Sequence, residues 1–392
     1  MPEGRGHHTI RAGLTAFPGS RPTTRMHMGT TRRHAAALAA TALAGVILLA
    51  GCGKDAADGR TADGEEETVH AVFGIGDTQG DTRATGVSGT DESKVGRWAL
   101  LLFRDGQAAP VARAVATGSA RIEMALPAGT YMAYAVANYP DGGTGAFDPG
   151  AVASVSALTG TVSYLSDNAP AGLVMFGGRQ VTLSSQTSGL QEIPVLRLAA
   201  KIGVERISID FSAYPDLAAK TFTVKRIYAT NVCSRSAFGS DPASAEASRS
   251  LWYNTMGWMT SGSCTSPACP QALLGDTSVS ATVTAASPYE RAHYFYVYPN
   301  PTPAGGDSRA AAWSARCTRI VIEADLGGTT YYYPITVGGT GGLRRNNAYV
   351  AANAVIRNVG STDPEGDSPG AMDVEWSASV LGWNDVTVNE ES

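Results

Sequence analysis

Apolar residues alternate with polar ones along many short segments of this chain, which is the pattern of half-buried β-strands. In the first clear case, one face of an extended segment carries Val69, Ala71, Phe73 and Ile75. The polar, glycine-rich residues 76–80 follow, and such residues pack poorly into a core. The pattern predicts a strand with one face in a core, followed by an exposed connection that a protease can reach.

The same reasoning predicts further elements in the first half of the chain. Residues 98–104 form a continuous apolar run and predict a central strand that is buried on both faces. Residues 121–126 and 131–138 flank a Pro-Ala-Gly-Thr turn and predict a hairpin. The Asp-Pro pair at residues 148–149 predicts the start of one short helix that ends near Leu158.

The second half repeats the strand pattern but is interrupted by residues 234–288, which are rich in Ser, Ala and Gly. We interpret this interruption as a surface excursion with one short helix. Around it, strands are predicted at 195–211, 221–231, 293–298, 318–324, 330–337 and 349–357. Because residues 184–189 are polar, they predict a linker, which divides the folded part into domains of residues 84–188 and 189–392.

Apolar and polar residues alternate strictly in the last part of the chain, which predicts a strand. The apolar face of this strand consists of Met372, Val374, Trp376, Ala378 and Val380, and a second short strand follows with Val386 and Val388. Strands in this position can pair with a second subunit, where each buried apolar residue would contribute roughly 1.5–3 kcal/mol. The alternative is that the final strand closes its own domain.

The first 51 residues have the features of a lipoprotein signal peptide. Two arginines at 32–33 precede an apolar run at 35–49, and the sequence Leu-Ala-Gly-Cys then ends at Cys52. The apolar run is shorter than the roughly 20 residues of a membrane-spanning helix. We therefore expect export, a diacylglycerol on the Cys52 thiol, and attachment to the outer membrane through that lipid. Residues 52–83 would be a lipidated propeptide that contains the first strand.

Composition narrows the class of protein. Of the 392 residues, 43% are hydrophobic and 17% are charged, which is ordinary for a protein that buries a core. The 45 glycines, together with many Thr, Val, Ser and Tyr residues, favour strands and turns, so an all-β fold is expected. The net charge is −5 and no basic stripe follows the leader, which argues against a nucleic-acid partner.

The sequence has few residues for catalysis. Of six histidines, four precede Cys52, which leaves His70 and His293. We interpret His293 as a surface residue of a strand, and we expect no catalytic site, metal site or cofactor.

Four cysteines remain after Cys52, and an even number in an exported protein favours disulfides. The candidates are Cys233, Cys264, Cys269 and Cys317, which allow three connectivities. Half of a zinc site at Cys264 and Cys269 is the weaker alternative.

Three tyrosines, Tyr294, Tyr296 and Tyr298, fall on one strand face. They have two interpretations: a platform that binds sugar or protein, or a half-buried sheet face. The second is the more common situation.

Several motifs resemble one known family. Residues 83–87 (Arg-Ala-Thr-Gly-Val), which run into residues 91–95 (Asp-Glu-Ser-Lys-Val), are similar to the maturation region of the major fimbrillins of type V pili. The Gly-Leu-x-Met sequence at 172–175, the Arg-x-x-Ala-Lys pattern at 197–201 and the segment 343–349 also resemble that family.

The resemblance implies two transthyretin-like β-sandwich domains, with a short helix in the first. It also implies that an arginine-specific protease cleaves between Arg83 and Ala84, so that the lipid and the first strand leave. The closing strands, Met372 to Val388, would then enter the vacated groove of a neighbouring copy or of a related pilin subunit. The protein would be a stalk or tip subunit of an adhesive pilus at the cell surface.

Another class of function stays open. A permanently lipidated surface protein, either a pilus anchor or a glycan-binding lipoprotein, would keep Cys52 and its lipid. The Arg83 context argues against both, because neither needs a removable strand.

Overall fold

The computed structural model describes residues 67–77, 92, 94–143, 145–244, 251–254, 271–276, 278–303, 315–363 and 370–376. These residues belong to one compact unit, Ala44–Ser392. The strands among them are β1 (Thr68–Asp77), β2 (Arg97–Arg104), β3 (Ala112–Thr117), β4 (Arg121–Pro127), β5 (Gly129–Ala137), β6 (Val162–Tyr164), β7 (Met175–Leu183), β8 (Leu190–Arg197), β9 (Ala200–Val204), β10 (Ile207–Ile209), β11 (Phe222–Cys233), β12 (Arg235–Ala237), β13 (Trp252–Asn254), β14 (Gly275–Asp276), β15 (Ala281–Val283), β16 (His293–Val297), β17 (Arg319–Leu326), β18 (Thr329–Thr336), β19 (Ala348–Ile356) and β20 (Met372–Trp376).

Helices in the described residues are short. They are α1 (Val155–Thr159), α2 (Pro215–Ala218) and α3 (Gln271–Leu274), with 3₁₀ turns at Pro149–Ala151, Leu165–Asp167 and Gly339–Gly341. The fold is all-β, as the glycine content and the period-two segments predict.

The strands form three larger sheets. A seven-stranded sheet has the order β3-β2-β5-β7-β8-β1-β4. A five-stranded sheet has the order β10-β19-β9-β16, with β20 also paired to β19. A six-stranded sheet has the order β13-β11-β17-β18, with β14 and β15 also paired to β11, and β6 pairs separately with β12.

Both faces of β2 are buried, as its continuous apolar run predicts. Trp98, Leu100 and Leu102 point into one hydrophobic core, whereas the alternate residues Leu101 and Phe103 point into another. The alternation follows from the period of two along a strand. The first core is formed by side chains of the seven-stranded sheet. The second core contains side chains from that sheet and from the two later sheets.

The predicted hairpin of residues 121–126 and 131–138 is wrong. Both strands exist, but β4 pairs with β1, and β5 pairs with β2 and β7. The chain turns sharply between them, where Ala128 N donates a hydrogen bond to Glu67 O at 2.7 Å and Gly129 has φ +151°. Local alternation specifies that these segments are strands, but it does not specify their partners.

The single helix predicted after Asp148 is divided in two. The Asp148 side chain caps the 3₁₀ turn Pro149–Ala151, and Val152 then returns to an extended conformation. Ser154 begins a new helix, α1, by accepting a hydrogen bond from Ala157 N at 3.1 Å. Ser154 therefore acts as a second N-cap within the predicted helix.

The linker predicted at residues 184–189 lies between β7 and β8. The strand that follows it, β8, pairs with β1 and β7 in the seven-stranded sheet, and the chain enters the five-stranded sheet at β9. The domain ranges 84–188 and 189–392 stay predictions.

The excursion at residues 234–288 contains core residues as well as surface ones. Trp252 and Tyr253 are each 1% exposed, because β13 pairs with the C-terminal half of β11. The one short helix predicted here corresponds to α3.

Candidate functional site: the groove that holds the first strand

The first strand, β1, lies inside a sheet and not at its edge. On one side it pairs antiparallel with β4, from Thr68↔Pro127 to Gly74↔Arg121. On the other side it pairs parallel with β8, from Val72↔Leu190 to Asp77↔Val195. Among the described strands, β4 has β1 as its one ladder partner. Without β1, the seven-stranded sheet would therefore lose the connection between β4 and β8.

One face of β1 fills a hydrophobic core, as the alternation predicts. Val69, Ala71 and Phe73 are 5%, 3% and 0% exposed, whereas His70 on the other face is exposed. Full burial of a side chain as large as Phe73 contributes roughly 1.5–3 kcal/mol. We call the space that Val69, Ala71 and Phe73 occupy between β4 and β8 the acceptor groove.

Two glycines bring β1 close to β8. A Cβ at Gly74 would lie 2.9 Å from Leu190 Cδ1, and a Cβ at Gly76 would lie 3.2 Å from Glu192 Cβ. These glycines are on the face of β1 opposite Phe73, where a side chain would crowd Leu190 and Glu192 of β8.

The predicted cleavage site follows this strand. Arg83 is six positions beyond Asp77, the last residue of β1. Arg83, Ala84 and Cys52 lie outside the described residues, so lipidation and cleavage stay predictions.

The chain is described again at Glu92, and this residue is buried. Lys201 Nζ donates a hydrogen bond to Glu92 Oε1 at 2.9 Å, and the two side chains are only 2% and 3% exposed. The Tyr296 hydroxyl donates to the same oxygen at 2.5 Å. Burial, followed by the neighbouring Glu92 charge, raises the pKa of Tyr296, which keeps the hydroxyl a donor.

A second part of this polar cluster involves Arg197 and Asn346. Arg197 N and Nη1 each donate to Asn346 Oδ1 at 3.3 Å, and Arg197 Nε donates to Glu92 O at 3.3 Å. Asn346 N donates to Ala199 O at 2.9 Å. The three motifs at residues 91–95, 197–201 and 343–349 thus meet in one buried cluster. The sequence identifies each motif separately, but it contains no local signal for their contact.

The described part of the closing segment is an edge strand. β20 pairs antiparallel with β19 of the same chain, from Ile356↔Met372 to Ala351↔Trp376. Met372 and Val374 are half-buried against the second core. Ala378, Val380, Val386 and Val388 lie outside the described residues, so their role as a donor stays a prediction.

The two cysteines in the described part of the chain are buried. Cys233 is 4% exposed at the end of β11, and Cys317 is 0% exposed just before β17. Cys264 and Cys269 lie outside the described residues. The disulfide assignment among these four cysteines stays a prediction.

The interpretation of His293 as a surface residue is wrong, since its side chain is only 3% exposed. Its Nδ1 lies 3.4 Å from Asp276 Oδ2, and its Nε2 lies 2.6 Å from the Tyr289 hydroxyl. Burial lowers the pKa of His293 to about 4, and the Asp276 carboxylate only partly opposes this effect. The ring is thus neutral near pH 7 and connects β16 to Asp276 of β14 and to Tyr289.

The tyrosine face is largely a core face. Tyr296 and Tyr298 are 1% and 0% exposed, and Tyr298 donates to Tyr164 O at 3.2 Å. Tyr294 is half-buried, and its ring lies 4.4 Å from Lys201 Nζ. These contacts favour the sheet-face interpretation over a sugar-binding platform.

No group of three or more His, Cys, Asp or Glu side chains is arranged to hold a metal ion in the part of the chain that the structure describes. No helix there has the length and apolar character needed to cross a membrane.

Comparison with known proteins gives likeness in structure alone. No protein-family model matches the chain, and no curated protein matches it. Among solved structures, a fimbrilin from Porphyromonas gingivalis W83 has 17% identity and a TM-score of 0.53, with 79% of this chain and 96% of that chain covered. A protein from Bacteroides eggerthii DSM 20697, provisionally assigned to cell adhesion, has 16% identity and a TM-score of 0.56, with coverage of 81% and 97%.

A similar protein from Parabacteroides distasonis ATCC 8503, also provisionally assigned to cell adhesion, has 15% identity and a TM-score of 0.55. The match covers 79% of this chain and 98% of the Parabacteroides protein. At sequence identities this low, the structural similarity establishes the fold alone. The predicted resemblance to fimbrillins is therefore confirmed for the fold.

Proposed function

We propose, from the fold that the chain shares with fimbrilin, that it is the precursor of a structural subunit of a cell-surface pilus that serves adhesion. The subunit performs no catalysis. It is exported as a lipoprotein, modified at Cys52 and held at the outer membrane by that lipid. An arginine-specific protease then cleaves between Arg83 and Ala84.

The position of β1 is the observation that carries this proposal. β1 ends at Asp77, before the cleavage site, and it is an interior strand between β4 and β8. Cleavage would turn β1 into a separate peptide, held in the acceptor groove by hydrogen bonds and by burial of Val69, Ala71 and Phe73. Once this peptide leaves, unpaired strand edges and an open apolar groove are a template for another strand.

The replacement strand comes from the closing segment of a second copy or of a related subunit. Met372, Val374, Trp376, Ala378 and Val380 form its apolar side, and Val386 and Val388 extend it. Because each copy has both a groove and a donor, the contact is head-to-tail and continues along a filament.

The experiment is controlled cleavage of the purified precursor. An arginine-specific protease is added, and the products are separated by size exclusion and by denaturing electrophoresis without heating. The cut wild-type chain is expected to form a ladder of large, denaturant-resistant species. Arg83→Ala, digested in parallel, controls for cleavage elsewhere and is expected to stay monomeric. A cut wild-type chain that remains monomeric would contradict the proposal.

A further inference from the structure

The acceptor groove has positions of unequal size. Phe73 occupies its largest position and is 0% exposed, directly opposite Ile122 of β4, which is 2% exposed. The two preceding positions on the same face hold the smaller residues Ala71 and Val69. We call the space filled by the Phe73 ring the Phe73 pocket. A replacement strand needs an aromatic residue there, because a smaller one would leave a cavity.

Trp376 is the central residue and the one aromatic of the alternating segment 372–380. When it is placed in the Phe73 pocket, the positions of Ala71 and Val69 receive apolar residues in either strand direction. A strand parallel to β1 places Val374 and Met372 there, and a strand in the opposite direction places Ala378 and Val380 there.

Other alignments fit less well. A shift of two residues places Trp376 at the position of Ala71 or Ile75. It leaves Val374 or Ala378, both smaller than phenylalanine, in the Phe73 pocket. The second tryptophan of the closing segment, Trp383, would bring either Ser379 to the Val69 position or Asp385 to the Ala71 position. A buried hydroxyl or carboxylate without a partner is unfavourable.

We propose that Trp376 of one copy fills the Phe73 pocket of the next copy and sets the register of the joint. This inference rests on the proposed function and specifies its central contact.

The described part of β20 is suited to leave the five-stranded sheet of its own subunit. It pairs with β19 on one side, and its register is irregular between Ala351 and Asn353. Its polar contacts, Arg357 with Asp373 and Asn353 with Glu375, are exposed. In the acceptor groove the same strand would pair with β4 along its first part and with β8 along its last part, and with both at the positions of residues 72–74. Its apolar side chains would take the buried places of Val69, Ala71 and Phe73. The exchange therefore adds hydrogen bonds and buried apolar surface.

The first test compares tryptophan variants in the cleavage assay. Trp376→Ala is expected to lower the yield of polymer at least about tenfold. Trp376→Phe should restore most of it, since an aromatic ring again fills the pocket. Trp383→Ala is the matched control and should polymerise like wild type. Equal urea midpoints of the uncut precursors show that the variants fold.

The second test detects the contact directly. Phe73 and Ile122 are paired residues, so Ile122→Cys can form a disulfide with a cysteine at position 376 of a neighbouring copy. The chain with both Ile122→Cys and Trp376→Cys loses the aromatic ring and should form fewer joints, but mild oxidation should trap those that form as disulfide-linked chains after cleavage and not before it. Met124→Cys with Trp376→Cys is the off-register control, because Met124 pairs with Ala71. The single variants control for the native cysteines.

The outcomes separate the two proposals. If cut wild-type chain does not polymerise, the pilus-subunit proposal fails. If it polymerises while Trp376→Ala does so equally and the Ile122–Trp376 crosslink is absent, only the register inference is overturned.

Discussion

Glu92 and Lys201 form a buried ion pair, with Lys201 Nζ 2.9 Å from Glu92 Oε1. Glu92 is nine positions after Arg83, so this pair belongs to the part of the chain that would remain after cleavage. Lys201 is in β9 of the five-stranded sheet. The pair therefore holds Glu92 against a sheet that does not contain β1.

Glu92→Gln should destabilise the protein, because it removes the negative charge that lies 2.9 Å from the buried Lys201 ammonium. We expect the free energy of unfolding to fall by about 3 kcal/mol, which is typical when one partner of a buried ion pair is removed. Urea denaturation measures this change. The double variant Glu92→Gln with Lys201→Met should lose less than the sum of the two single losses. Additive losses would contradict a direct charge interaction.

Phe73→Ala should destabilise the precursor by about 3–5 kcal/mol, since it leaves a cavity in the core between β4 and β8. His70→Ala is the matched control on the exposed face of the same strand and should change the free energy of unfolding by less than about 0.5 kcal/mol. Urea denaturation of the uncut chain measures both. Equal effects of the two variants would show that β1 does not fill this core.

His293 should make stability depend on pH. Its pKa is lowered in the folded protein to about 4, from an unfolded value of 6.5, so the folded state favours the neutral ring. The contribution of the neutral ring to the free energy of unfolding is complete above about pH 6.5 and is lost as the pH falls towards 4. The difference of about 2.5 between the unfolded and folded pKa values corresponds to about 3 kcal/mol in the free energy of unfolding.

The measurement is the unfolding free energy of wild type and of His293→Asn between pH 7.5 and 4. The wild-type curve should fall more steeply than that of the variant below about pH 6.5. Asp276 lies beside the ring and pairs with Arg291, and both residues are unchanged in the variant. The pKa of Asp276 is lowered from its ordinary value of 3.8, so this carboxyl titrates below the measured range. Parallel curves would contradict a buried neutral histidine.

Much of the local structure was predictable from the sequence. The alternation at Val69, Ala71 and Phe73 specifies a strand and its buried face, and the apolar run at residues 98–104 specifies a strand buried on both faces. These predictions succeed because side chains alternate with a period of two along every strand.

Features that depend on distant parts of the chain were not predictable. The partner of β4 is β1 and not the adjacent β5, and nothing within residues 121–138 specifies this choice. The buried His293 ring contacts Asp276, which belongs to the separate strand β14. The contact of Glu92 with Lys201 joins residues 109 positions apart.

The most direct test of the account is the N-terminal sequence, by mass spectrometry, of the protein sheared from the surface of its native cells. We predict a start at Ala84 in a species of high molecular weight that resists denaturant. A monomer that starts at lipidated Cys52 would contradict the account, and would support a permanently lipidated anchor or glycan-binding protein.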